Sequence, residues 1–186
     1  MSKPFAYSLN GWIDEHRHLF KPPVGNRYLF DGKDFFVMIV GGPNARNDFH
    51  VTQSEEFFYQ IKGDVVVTLM EDGKMRDVAI REGDVFAIPS GLPHSPQRPP
   101  DTIGMVIERR RPPGETEHLQ FYCPDCMNLV YDKEFDCADI VEHFMRAMEE
   151  FWADAKLSTC KCGTRITKAK RIKRITFEPD LKIEHE

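Results

Sequence analysis

The stretch Gly42-Pro-Asn-Ala-Arg46-Asn-Asp-Phe-His50-Val-Thr52-Gln-Ser-Glu-Glu56-Phe-Phe-Tyr-Gln-Ile-Lys-Gly63 decides how this chain is read, together with its downstream companion Gly83-Asp-Val-Phe-Ala-Ile-Pro89-Ser-Gly91-Leu-Pro-His94-Ser-Pro-Gln-Arg98. Each couples a short β-branched or aromatic run to Gly, Pro, Asn and Asp, the residues of strands closed by tight turns. The same texture extends from Phe35 to Glu108. Strands are expected near 35–40, 56–61, 65–70, 76–80, 85–88 and 103–108, with turns at Lys62-Gly63-Asp64, Glu71-Asp72-Gly73 and Arg81-Glu82-Gly83-Asp84. Many short strands at this spacing predict a mainly β fold, an antiparallel barrel or sandwich.

Outward from this core the pattern changes. The amphipathic patch Leu9 to Phe20 predicts a helix that Pro22-Pro23 cannot continue. Downstream, Pro112-Pro113-Gly114 breaks the strand pattern and a Cys-bearing segment covers 121–137. A helix is expected over about 137–157, because Ile140, Val141, Phe144, Met148, Phe151, Trp152 and Ala155 return every three or four positions. Residues 168–186 run from the basic cluster Lys168-Ala-Lys170-Arg171-Ile-Lys173-Arg174 to the acidic Glu184-His185-Glu186 and read as a flexible tail. The expected organisation is thus an N-terminal helix and barrel over 1–115, a helix-containing Cys segment over 116–167, and a tail over 168–186.

Composition narrows the function classes. A chain of 186 residues suffices for one domain with an appendage, and 14 Phe, 5 Tyr and 2 Trp within a 41% hydrophobic share supply a core. Twenty-five Lys and Arg against 30 Asp and Glu give a net charge of −5, which argues against a nucleic-acid partner. The longest apolar run, near Phe35 to Val40, falls far short of the ~20 residues a bilayer span needs, so no membrane partner is expected. The start Met1-Ser-Lys-Pro-Phe-Ala6 lacks the apolar stretch of a secretory signal, and five Cys are too few for a disulfide scaffold. A cytoplasmic location is expected.

Two groups of residues carry chemistry. His50, Glu56 and His94 offer two imidazoles and one carboxylate, the ligand set of non-haem Fe(II) sites that keep open positions; imidazole also suits Zn, Cu and Ni. Arg46 lies four residues before His50 and Arg98 four after His94, each able to offer a bidentate fork to an anion. Glu108 ends an apolar strand, an unusual place for a carboxylate that is neither paired nor functional. His16, His18, His118, His143 and His185 lack such company and read as structural or exposed. The second group is Cys123-Pro-Asp-Cys126 with Cys160-Lys-Cys162, four thiolates suited to tetrahedral Zn or a rubredoxin-like Fe. A metal there would clip together the segments flanking the helix; free buried thiols, or a site left vacant, are the alternatives. Cys137 has no partner in this scheme and is expected to be a buried free thiol.

The spacing of the two motifs resembles the cupin superfamily. Six residues separate Glu56 from Gly63, and Gly83 leads after five residues to Pro89-Ser-Gly91 and then His94. One position departs: the first motif usually carries His-x-His, and the second His is here Thr52, which opens a further coordination position. Lys21-Pro-Pro-Val-Gly-Asn26, Gly41-Gly-Pro-Asn-Ala-Arg46, Glu55-Glu-Phe-Phe-Tyr-Gln60, His94-Ser-Pro-Gln-Arg-Pro99 and Ile107-Glu-Arg109 then resemble the 3-hydroxyanthranilate 3,4-dioxygenase family, over roughly residues 10–165. The resemblance implies a cupin (jelly-roll-like) barrel with peripheral helices and a C-terminal Cys-clipped segment. It implies opening of the 3-hydroxyanthranilate ring by Fe(II) and O2 to 2-amino-3-carboxymuconate semialdehyde, on the way to quinolinate and NAD, by a homodimer. It implies that Arg98 takes the substrate carboxylate, that Arg46 sits by the oxygen and the substrate, and that Glu108 faces the substrate hydroxyl and amine in an acid/base role. Glu56 then serves both metal and substrate. It also implies a second metal in microbial members, whose second Cys pair is C-x-x-C where this chain has C-x-C at Cys160 and Cys162. Two other classes are a non-enzymatic cupin binding small carboxylates and a metal-dependent isomerase or hydrolase on a similar barrel.

Overall fold

The computed structural model describes residues 6–22, 25–136 and 140–186. Met1 to Phe5, Pro23 and Cys137 lie outside the described residues. Helix α1 spans Leu9–His16, followed by a 3-10 turn over Arg17–Leu19. Strands β1 (Gly25–Asp31), β2 (Phe35–Gly41), β3 (Phe49–Val51), β4 (Glu56–Lys62), β5 (Val65–Glu71), β6 (Lys74–Ile80), β7 (Val85–Ile88), β8 (His94–Gln97), β9 (Ile103–Arg109), β10 (Thr116–Tyr122) and β11 (Leu129–Asp136) come next. Helix α2 (Ile140–Ala153) and strands β12 (Ile172–Thr176) and β13 (Lys182–His185) complete the chain.

The expected antiparallel, jelly-roll-like barrel forms from two sheets. One has the order β1-β2-β9-β4-β7 and the other β11-β10-β3-β8-β5-β6. Period-two alternation builds their shared interior. β4 buries Glu56, Phe58 and Gln60 and turns Phe57 and Tyr59 outward; β10 buries Glu117, Leu119 and Phe121. The core gathers Phe36, Met38, Phe58, Val67, Leu69 and Val106, each buried side chain stabilising by about 1.5–3 kcal/mol. Gly63 and Gly83 adopt φ of +66° and +91°, a left-handed backbone that other residues rarely tolerate, which explains their places in the two motifs.

The helices cover the barrel on different faces. Ser8 Oγ caps α1 by accepting from Gly11 N at 3.1 Å. The α-helix ends at His16 rather than near Phe20, and Ile13 and Phe20 pack on Ile39 and Ile103. α2 is amphipathic as its periodicity predicted: Phe144, Met148 and Phe151 are buried, and Phe151 stacks on Phe121 with centroids 3.8 Å apart. No helix among the described residues is long and apolar enough to cross a membrane.

The flexible tail expected over 168–186 is corrected by the structure. β12 and β13 pair as an antiparallel hairpin, and Ile172, Ile175, Phe177, Leu181 and Ile183 pack against Val66 on the outer face of β5. The apolar residues are spaced among charges so closely that composition hides them, yet together they cover one sheet face. The hairpin also reaches the barrel rim, where Ile172 N donates to Asn44 O at 3.1 Å and Asn47 Nδ2 donates to Thr167 O at 3.0 Å. Ile172 is fully buried, so Ile172→Ala is expected to lower unfolding free energy by about 2–5 kcal/mol in denaturant titrations. A wild-type midpoint would mean that the hairpin contributes nothing to the fold.

Candidate functional site

The barrel brings the motif residues together in pairs, one pair from each sheet. His50 on β3 opposes His94 on β8, and Glu56 at the start of β4 opposes Glu108 on β9. The imidazoles therefore come from one wall and the carboxylates from the other, and all four side chains are buried. Glu56 Oε1 lies 3.0 Å from His50 Nδ1, and Glu56 Oε2 lies 3.4 Å from His94 Nε2. The potential ligand atoms of the three residues lie within 4.8 Å of one another.

The outer hydrogen bonds set which nitrogens face inward. His94 Nδ1 donates to Leu92 O at 2.9 Å and His50 Nε2 donates to Glu117 Oε2 at 3.0 Å. That assignment leaves the lone pairs of His94 Nε2 and His50 Nδ1 turned toward Glu56. The Glu56 Oε1 contact with His50 is not in hydrogen-bonding geometry, and this oxygen stays buried without a hydrogen-bond partner. Two inward lone pairs around an unsatisfied buried carboxylate fit a divalent cation. Without a cation the same point draws a proton to His50 Nδ1 instead, the place a metal would take. Burial pulls the His50 imidazole down, but Glu56 and Glu117 more than reverse this and raise it to about 10. Burial pushes Glu56 up, yet the charges of His94 and His50 hold it well below the usual carboxylate range. Thr52, in place of the second motif His, is buried with its hydroxyl 3.1 Å from Ser54 Oγ.

Arg46, Arg98 and Glu108 line the same pocket, with Phe144 of α2 closing one side. Phe144 meets His50 edge-on at 4.8 Å and lies 5.4 Å from the Arg46 guanidinium. Arg46 is paired with buried Asp48 at 2.5 Å. Arg98 is different. It is buried, makes no ion pair among the described residues, and donates to Gln60 Oε1 at 3.1 Å. Burial, then the charge of Arg46, lowers its pKa to about 10, which marks a cation in want of an anion. Gly104 on β9 leaves it room: a Cβ there would stand 2.8 Å from Arg98 Nη1. Asn44 ties the Arg46 loop to Arg98 through Arg98 N donating to its Oδ1 at 3.0 Å. Burial and the neighbouring Glu56 charge raise Glu108 to about 8, against the opposing pull of Arg111.

Sequence reasoning missed Glu117, Arg111 and Phe144 as site residues. The alternation Glu117, Leu119, Phe121 within Thr116 to Tyr122 is a strand signal that would have placed Glu117 inside. Arg111, third of three consecutive arginines, carries no such signal.

The four cysteines also converge. Cys123 and Cys162 sulfurs lie 3.6 Å apart, Cys126 and Cys160 3.5 Å, and Cys126 and Cys162 3.6 Å. Metal–sulfur bonds of about 2.3 Å would set edges of about 3.8 Å in a tetrahedron, close to these distances. The short C-x-C spacing is accommodated because Gly163 turns at φ +97° and its N donates to Cys160 O at 2.9 Å, folding Cys162 back toward Cys123.

Comparison with known proteins places these residues in context. The family model described as 3-hydroxyanthranilic acid dioxygenase matches residues 1–152. A 3-hydroxyanthranilate 3,4-dioxygenase from Shewanella woodyi is 47% identical over 165 residues, covering 88% of this chain and 87% of that protein. One of the same name from Ruegeria pomeroyi is 46% identical, covering 88% and 92%. Another from Meyerozyma guilliermondii is 46% identical over 157 residues, covering 84% and 92%. Among solved structures, a cupin-2 domain containing protein from Shewanella frigidimarina superimposes with a TM-score of 0.44 at 18% identity, covering 53% of this chain and 92% of that one.

Proposed function

The chain belongs to the 3-hydroxyanthranilic acid dioxygenase family, and on that premise we propose that it opens the ring of 3-hydroxyanthranilate with O2 at an Fe(II) held by His50, Glu56 and His94, giving 2-amino-3-carboxymuconate semialdehyde for quinolinate and NAD formation. The observation that carries this reading is a buried two-His, one-Glu set facing a buried arginine that has no ion pair among the described residues. Charge supports it. Glu56, Glu108 and Glu117 are balanced by Arg111 and a divalent cation, and Arg46 is balanced by Asp48. Arg98 then remains as the surplus positive charge for the substrate carboxylate.

Fe(II), when bound, supplies a centre at which the substrate's hydroxyl and amine and O2 can meet. The chain does the rest. Arg98 anchors the carboxylate and so orients the ring. Glu108 faces the hydroxyl and amine and exchanges a proton with them. Arg46 contributes positive charge where oxygen reacts, with Asp48 fixing its direction. Phe144, Met38 and Val106 supply the apolar part of the wall, against which the ring can pack. The exposed outer residues Phe57, Tyr59 and Val85 of the first sheet offer an apolar face for a homodimer.

The test is anaerobic loading with Fe(II), then substrate, then air. Oxygen uptake with a new ultraviolet chromophore is expected. Tight binding without oxygen uptake would favour the non-enzymatic carboxylate binder instead. The Cys123, Cys126, Cys160 and Cys162 cluster would hold a second Fe or Zn in a structural role. Metal analysis is expected to find two ions per chain, and Cys162→Ser should lose one of them and lower the melting temperature while kcat holds. One ion with four titratable thiols in the wild type would reject the clip.

A further inference from the structure

We infer that Arg111 is a positioning residue shared by the metal centre and the acid/base group, holding Glu108 directly and His50 through Glu117. Its guanidinium sits in the connection between β9 and β10, where the chain passes from one sheet to the other. Nη2 donates to Glu108 Oε2 at 2.5 Å, and Nε donates to Glu117 Oε1. Glu117 Oε2 in turn accepts from His50 Nε2 at 3.0 Å. One face of the guanidinium lies 5.1 Å from the Phe36 ring, which restricts its tilt.

Three features make this more than an ordinary ion pair. The Arg111 side chain is 7% exposed and its two carboxylates 2% and 0%, so solvent cannot replace any member. The two acceptors stand on different strands of different sheets, Glu108 on β9 and Glu117 on β10. A planar fork can address both at fixed angles, whereas an ammonium is a point charge without such direction. Finally, the Glu117 arm ends on a ligand and the Glu108 arm on the group that faces substrate. Displacing the fork would turn the His50 ring and release Glu108 in one event. The Arg98 carboxylate anchor does not touch this network.

The activity readout rests on the ring-opening reading; the iron readout does not. The experiment compares wild type, Arg111→Lys, Arg111→Met, Glu117→Gln, Glu108→Gln and the Arg111→Lys/Glu117→Gln double variant. Fe(II) affinity is measured by anaerobic chelator competition, and kcat and KM by oxygen uptake. Arg111→Lys is expected to weaken Fe(II) binding about 10–100-fold, the usual range for losing an outer partner of a ligand, and to lower kcat at saturating iron at least about tenfold with KM little changed. Glu117→Gln should weaken iron binding similarly, Glu108→Gln should lower kcat with iron affinity kept, and the double variant should bind iron no worse than the weaker single variant. Iron affinity within about threefold of wild type in both Arg111 variants would overturn the inference, as would additive losses in the double variant. If Arg111→Met fails to fold, Arg111→Lys and Glu117→Gln still decide the matter. Wild type that binds iron but takes up no oxygen would sink the ring-opening reading and leave the iron comparison standing.

Discussion

Glu56→Ala is expected to yield a folded protein that neither holds iron at the barrel centre nor turns over 3-hydroxyanthranilate. Glu56 presents one oxygen to each inward imidazole nitrogen, at 3.0 and 3.4 Å. Without it, two neutral imidazoles remain, and they are too few and too weakly charged to retain Fe(II) against water. The apo fold should survive at reduced stability: a partner of the buried imidazoles is lost, but both rings can stay buried in neutral form with their outer hydrogen bonds to Glu117 and Leu92 O. His50→Ala and His94→Ala should give the same loss. Metal analysis with oxygen uptake checks the set, and any ion held by the four cysteines serves as an internal control. Full iron occupancy with normal turnover in any of the three would refute the ligand assignment.

Arg98→Ala should instead spare the metal and fail at substrate binding. The guanidinium is buried, and among the described residues it has Gln60 rather than a carboxylate as partner. A charge-assisted contact to the substrate is worth about 1.5–3 kcal/mol, so KM should rise roughly tenfold to a hundredfold or more. Gly104→Ala is a milder form of the same lesion. A Cβ 2.8 Å from Arg98 Nη1 forces the fork aside without deleting it, so KM should rise while iron occupancy stays at the wild-type level. Substrate affinity unchanged in Arg98→Ala would remove it from the binding role.

The strands legible in the sequence share one property: each carries at least two β-branched or aromatic residues within a short stretch. β2, β4, β5, β6, β7 and β9 begin and end within two residues of the expected ranges. β8 escaped notice because His94-Ser-Pro-Gln contains a proline and little apolar area, and β3 because it is only Phe49–Val51. β10 carries an alternation, Glu117, Leu119 and Phe121, that sequence reading passed over because its first inward residue is a carboxylate, and β11 is interrupted by the charged run Asp132-Lys-Glu134. The C-terminal hairpin was hidden for a related reason. Its few apolar residues become meaningful only against Val66, over 100 positions earlier in the chain.

The same division runs through the site. Sequence alone determined the barrel motifs, the ligand types at His50, Glu56 and His94, the candidate charges at Arg46, Arg98 and Glu108, and the four cysteines, because local spacing and residue chemistry carry those features. Only the tertiary structure decided which charges are already paired. Arg46 is matched by Asp48 and Glu108 by Arg111, while Arg98 has Gln60 and no carboxylate as its side-chain partner among the described residues. It also decided that Glu117 meets both His50 and Arg111 and that Cys162 lies beside Cys123 despite the shortened spacing. The physical reason is that pairing, burial and orientation depend on distances between strands far apart in sequence, and no local pattern encodes those distances.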